Sequence, residues 1–191
     1  MLDEKEFLKI SKELEEEDKL REYVIVESRK ILKHSKKAIN HVHNDKMSEA
    51  KDELDAAKKV ISSIEKSIIG KDPKTNSFRS SLEEYAEGLT FYHFVKDKKI
   101  LTKEEIGVKT ETYLLGLSDL TGELGRRAVY LTTKGKYKDV KKIYEAVVMI
   151  YDGFLNFSLR NGELRKKYDS IKWNLKKIEE ILYDLKIRDK I

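Results

Sequence analysis

The sequence predicts an all-α fold, a single-domain bundle of about seven helices, and three observations carry that prediction. Chain breakers are scarce, with 1 Pro and 9 Gly in 191 residues. Helix-favouring Lys, Glu, Leu and Ile dominate. Apolar residues also recur at helical spacing through several long segments, and no stretch alternates as a half-buried strand does. With 39% hydrophobic and 39% charged residues, the chain fits one domain over residues 1–191, with a real core and a heavily charged surface.

Composition narrows the chemistry. The absence of cysteine excludes disulfides, thiolate metal sites and cysteine nucleophiles. No apolar run approaches the roughly 20 residues that span a bilayer. The opening MLDEKEFLKISKELEEEDKL is too polar for a signal peptide, so the expectation is a cytoplasmic protein with no membrane partner. A net charge of +5 permits a nucleic-acid partner, but 40 basic against 35 acidic residues make a mixed surface.

Taken in order, residues 1–19 read as an acidic, weakly ordered helical lead-in. The first strong helix runs from about Asp18 to His43, with Leu20, Val24, Ile31, Leu32, Ala38, Ile39 and Val42 on one side. Arg29, Lys33, Lys36 and Lys37 recur at i, i+4, i+7 and i+8 on the other side. Such a row can follow successive phosphates of a nucleic-acid strand, and it equally fits the solvated face of an amphipathic helix. His34 and His41 flank the row, where they suit base stacking, phosphate contact or plain surface exposure; Arg21 is counted with them as a candidate nucleic-acid contact.

Asn44 and Asp45 turn the chain into a second helix, about Lys46 to Ile69, whose stripe of Met47, Ala50, Leu54, Ala57, Ile61, Ile64 and Ile68 should pack antiparallel on the first. The loop Gly70 to Ser77 holds the only proline. The next helix, about Phe78 to Asp97, is apolar on two sides, with Leu82, Tyr85, Ala86, Leu89 and Tyr92 on one and Phe91, Phe94 and Val95 on the other. Glu84 and Glu87, three apart, lie on the Phe91 side and therefore beside an enclosed region. Buried carboxylates need cations, either Lys and Arg or a metal ion. Glu83 points elsewhere, and His93 reads as a core histidine.

Thr102 and Glu105 form a capping box. The helix after it carries Tyr113, Leu117, Leu120, Leu124, Ala128 and Leu131 as a core stripe, with Asp119 and Glu123 together on the other side. Ser118, Gly122 and Gly125 lie between the two as a strip of small residues, the expected place for a close helix contact. That helix ends near Lys134 and Gly135. A sixth runs from about Lys138 to Phe157, and a last one from Gly162 to about Ile187. The last carries an unbroken seam of Leu164, Tyr168, Ile171, Leu175, Ile178, Leu182 and Leu185. Trp173 lies opposite the seam, where a subunit interface is the expectation and plain solvent exposure the alternative.

These segments give the chain a resemblance to the translin and translin-associated factor X (TRAX) family. The resemblance rests on YLLGLSDLTGEL at Tyr113 to Leu124, YDGF at Tyr151 to Phe154, EEYAEGLTFYHF at Glu83 to Phe94 and LRKKYDSIKWNLKKIEEILYDLKIR at Leu164 to Arg188. The middle segments are similar to the TRAX branch and the last to translin. The resemblance implies assembly into an octameric shell, binding of single-stranded RNA or DNA, and a metal-dependent endoribonuclease activity. It also implies that Glu84, Glu87 and Asp119 are the catalytic acids and metal ligands, and Glu123 matches a further acidic position. Between Phe94 and Tyr113 the chain is much shorter than the TRAX branch.

Clustered carboxylates without Cys or a His-rich set suit a hard cation, Mg²⁺ or Mn²⁺, that activates water for attack on a phosphodiester. Glu123 would then be a fourth ligand or the base. The bland alternative is that the acids pair with Arg126, Arg127 or lysines. Three other readings compete: a nucleic-acid-binding shell without nuclease activity, a purely structural helical adaptor, and a di-iron carboxylate bundle. The last needs Glu-x-x-His, and the residues three before the histidines are Ile31, Ala38, Asn40 and Thr90, so it fails.

Overall fold

A computed structural model describes residues 3–191. The described residues form seven helices, α1 (Glu4–His43), α2 (Met47–Ser67), α3 (Ser77–Asp97), α4 (Lys103–Ile106), α5 (Thr110–Thr133), α6 (Tyr137–Leu155) and α7 (Glu163–Ile187). The expected boundaries hold to within a few residues except at the first helix. There α1 continues upstream of Asp18 as one piece from Glu4, capped by the Asp3 side chain, which accepts from Lys5 N. The acidic stretch carries Leu14 and Ile10 at helical spacing and no breaker, so nothing in it stops the helix.

The helices pack as two groups of three. α1, α2 and α3 contact one another, α5, α6 and α7 contact one another, and the α3–α5 contact joins the groups. One core runs through both. In α2 the stripe of Ala50, Leu54, Ala57, Ile61 and Ile64 is buried, and in α7 Ile171, Leu175, Ile178 and Leu185 of the seam are buried. The short α4 carries the capping box in full, with Glu105 N donating to Thr102 Oγ1 at 3.3 Å and Thr102 N donating to Glu105 Oε2 at 2.9 Å. Trp173 is 65% exposed. No described helix is long and apolar enough to cross a membrane.

Two expectations are corrected here. The close helix contact of α5 is made at Gly116, where a Cβ would stand 2.9 Å from Glu83 O and 3.0 Å from Ala86 Cβ of α3. The strip of Ser118, Gly122 and Gly125 faces away from α3: a Cβ at Gly122 meets only Asn174 of α7, at 3.6 Å, and one at Gly125 meets nothing within 4 Å. Gly116, Asp119 and Glu123 are spaced i, i+3, i+7 and so share a face, which places both acids of α5 directly against α3. The second correction is His93, whose side chain is 31% exposed and sits 3.5 Å from Asp97 one turn on, while its neighbour Tyr92 is buried.

The geometry separates the glycines experimentally. Gly116→Ala is expected to destabilise the fold by about 1–3 kcal/mol through overpacking against α3 backbone, outweighing the gain in helix propensity. Gly125→Ala, with open space around it, is expected to stabilise by up to about 1 kcal/mol. Denaturant unfolding of the two variants checks the opposite signs.

Candidate active site

Glu84 and Glu87 of α3, Asp119 and Glu123 of α5, and Lys36, Ile39 and Asn40 of α1 line one cleft of about 490 Å³, with Arg126 at its edge. Three helices therefore meet around four carboxylates. The positions follow from two tight crossings of α3. Gly116 brings α5 against Glu83 and Ala86, and on the other flank a Cβ at Gly88 would stand 3.3 Å from Ile39 Cγ1 of α1. Glu87 lies between these crossings and is 8% exposed.

Electrostatics divides the four acids into two kinds. Burial pushes the Glu87 carboxyl up to about 9, reinforced by the fields of Glu84, Asp119 and Glu123 and opposed by Lys167. Burial also raises Glu84, against the field of Lys36. No hydrogen bond contributes to either. Asp119 instead accepts from Lys167 Nζ of α7. The Lys167 ammonium is lowered by burial, but the bond to Asp119 and the fields of Asp119, Glu87 and Glu163 outweigh that and leave it raised. Glu123 is held below the ordinary carboxylate range by its bond to His43 Nε2, against the effect of burial; Arg126 adds an ion pair at 3.7 Å.

His43 is itself fixed from several sides. Its ring sits 4.8 Å from Phe91, and it ends α1, where Arg127 of α5 takes over the free carbonyls. The buried Arg127 Nη1 donates to Val42 O at 3.3 Å and to His43 O at 3.1 Å, while Nη2 pairs with Asp45. Arg127 thus joins α5 to the end of α1 and leaves the acids to other cations. Glu83 points out of the cleft, as expected from its register, toward Arg79 at 3.4 Å.

The basic row on α1 splits. Arg29, Lys33 and Lys36, at i, i+4 and i+7, are exposed along one line that ends at the cleft with Lys36. His34 and Lys37 turn toward α2, where both bond to Glu53, Lys37 at 3.0 Å. These two bonds hold Glu53 below its usual range in spite of burial. His41 is half-buried. Arg21 lies far upstream, 3.7 Å from Asp18 and 3.8 Å from Glu22.

The donor set is all oxygen and largely acidic, which is the chemistry of a hard divalent ion. Among the described residues no three His, Asp or Glu side chains converge closely enough to hold one; Asp119 is paired with Lys167, and Glu123 with His43 and Arg126. Sequence reasoning missed Lys167 and His43 as parts of this site. The Lys167 ammonium arrives from the far helix group, a contact that no spacing in the chain announces.

The raised Glu87 carboxyl makes stability depend on pH. With the folded value near 9 and an unfolded value near 4.5, the unfolded chain gives up a proton that the folded chain keeps. Stability is therefore full below about 4.5 and falls as pH rises toward 9. Glu87→Gln is expected to flatten that fall and to raise the melting temperature at pH 8 by several degrees, equivalent to about 1–2 kcal/mol at this chain size. Thermal unfolding of both proteins from pH 4 to 9 checks it.

The fold has counterparts among known proteins. The chain aligns with chicken (Gallus gallus) translin at 44% identity over 78 residues, 41% of this chain and 34% of that protein. It thus spans about a third of the length of the translins it matches. It also aligns with mouse (Mus musculus) translin-associated protein X at 26% identity over 226 aligned positions, covering 95% of this chain and 78% of that protein. Among solved structures, apo-NeC3PO superposes with a TM-score of 0.85 at 26% identity, over 94% of this chain and 96% of that one. AfC3PO in complex with duplex RNA superposes with a TM-score of 0.82 at 24% identity, over 96% and 97%. The model of the Translin family matches residues 9–189, helices and acid cleft included, and the chain belongs to that family.

Proposed function

We propose that this chain is an oligomeric RNA-binding protein whose four-carboxylate cleft cuts single-stranded RNA as a Mg²⁺- or Mn²⁺-dependent endoribonuclease. The observation that carries this reading is Glu87, buried with its carboxyl raised to about 9 beside Glu84, Asp119 and Glu123. The ionised form of an acid so placed is costly unless something cationic occupies the cleft. The basic line from Arg29 to Lys36 leads an anionic strand to the same place. The relatedness to translin and translin-associated protein X supports the reading, as does the fold shared with a protein that was solved with duplex RNA.

Glu84, Glu87 and Asp119 would hold the ion, which when bound polarises the phosphodiester and lowers the pKa of a water. Glu123, oriented by the buried His43, accepts the proton of the attacking water. Lys36 and Arg126 hold phosphate oxygens at the rim. Lys167 keeps the Asp119 carboxylate aimed into the cleft. Because Glu87 carries a proton near neutral pH in the absence of a cation, ion affinity should rise with pH.

The rival reading, an RNA-binding scaffold without cleavage, is favoured by the cations already paired with Asp119 and Glu123. Labelled single-stranded and duplex RNA, incubated with Mg²⁺ or Mn²⁺ against EDTA, separate the two. The expected result is metal-dependent cleavage of the single strand that falls at least about 100-fold in Asp119→Asn, with binding retained. Binding without cleavage under every metal would establish the scaffold. Replacing Arg29, Lys33 and Lys36 by Gln should flatten the salt dependence of RNA affinity by roughly one unit of log–log slope for each phosphate that is no longer neutralised.

A further inference from the structure

The helix α1 has 40 residues, and α2, which packs back along it, has 21. At 1.5 Å per residue these are about 60 and 32 Å, so α1 outruns its neighbour. Where α1 is covered, its buried positions alternate steps of four and three: Val24, Ser28, Ile31, Ser35, Ala38 and Val42. The same alternation continues upstream without a break through Arg21 and Glu17 to Leu14, Ile10 and Phe7. It is one helix-packing seam: helices cover its downstream half, and upstream only the loop between α2 and α3 reaches it, with Lys74 Nζ 2.6 Å from Glu17 and Pro73 lining an open groove beside Leu14. Every described residue before Leu20 is exposed, and Phe7, Ile10 and Leu14 are 59%, 39% and 60% exposed.

Charge identifies what covers the rest of the seam. Residues 4–19 carry seven acidic groups against four lysines, net −3. The remainder carries 36 basic against 28 acidic residues, net +8, which gives the +5 of the whole chain. Two such segments repel each other, and RNA or an anionic lipid surface repels them as well. The positively charged body of another copy attracts them, and that body exposes large apolar side chains of its own on α7, Trp173, Tyr183 and Ile187.

We propose that residues 4–19 are an assembly arm, with Phe7, Ile10 and Leu14 packing on the body of a second copy of this chain. The proposal rests on the oligomeric part of the reading above and adds the contact that builds the oligomer. It gives the acidic lead-in a role distinct from RNA binding and from the cleft.

The absence of cysteine makes the test direct. A single Ser11→Cys, labelled with a photoreactive maleimide and mixed with isotopically labelled unmodified chain, should cross-link to the body of the other copy. In native mass spectrometry, the triple variant F7S/I10S/L14S should dissociate at concentrations at least about ten-fold higher than the unmodified chain does. At a dilution where both proteins are dissociated, its body should unfold at the unchanged temperature, since the arm lies outside the core. Cross-links confined to the chain's own body, or formed arm to arm, overturn the proposal. An assembled parent chain with an equally assembled triple variant overturns the arm alone; a parent that is monomeric at micromolar concentration overturns the oligomeric reading with it.

Discussion

Everything in this molecule depends on how closely α5 lies against α3. At Gly116 the separation leaves no room for a methyl group, since a Cβ there would meet the Glu83 carbonyl at 2.9 Å. That crossing is the bridge between two groups of three helices. Because Gly116, Asp119 and Glu123 share a face, the same contact that joins the groups turns two acids toward the two acids of α3. The site is therefore a product of the fold's narrowest contact, and a shift of a helix turn at that crossing would scatter it.

The close crossing also creates the electrostatic cost that defines the site. Four carboxylates meet in one cleft, and the chain offsets them unevenly. Lys167 and His43 each take one acid, and Arg127, itself buried, secures the end of α1 that carries His43. Glu87 is left without a bonded partner and holds its proton to about pH 9. The neutralising groups arrive from α1 and α7, at opposite ends of the chain, so the cleft is complete only when both helix groups are docked.

Much of this was legible in the sequence. Core stripes, capping box, helix order and the two acid pairs can be read from spacing because period and capping are local. Glu84 and Glu87 could be placed beside an enclosed region because α3 is apolar on two sides. The register of α5 against α3 was not legible in the same way. Ser118, Gly122 and Gly125 look like a contact strip, yet the contact falls on the single Gly116, since which face of a helix meets which neighbour is decided by the packing of all the others. Lys167 and His43 escaped for the same reason, their roles being set by tertiary contacts across 48 and 80 residues of chain.

The basic row on α1 shows how one sequence pattern can hold two physical roles. Arg29, Lys33, His34, Lys36 and Lys37 look like one surface when only spacing is known. Glu53 of α2 sorts them by engaging His34 and Lys37, which knits α1 to α2 and removes both from the line that reaches the cleft. What remains is a narrower track of Arg29, Lys33 and Lys36, pitched along a single helix face and ending beside Glu84 and Glu87. A strand drawn along that track by its phosphates meets the acids only at Lys36, where attraction by the row gives way to repulsion by the carboxylates. The phosphate that lies at that boundary needs a further cation between itself and the acids, and this is the strongest physical reason to expect an ion in the cleft whenever RNA is bound.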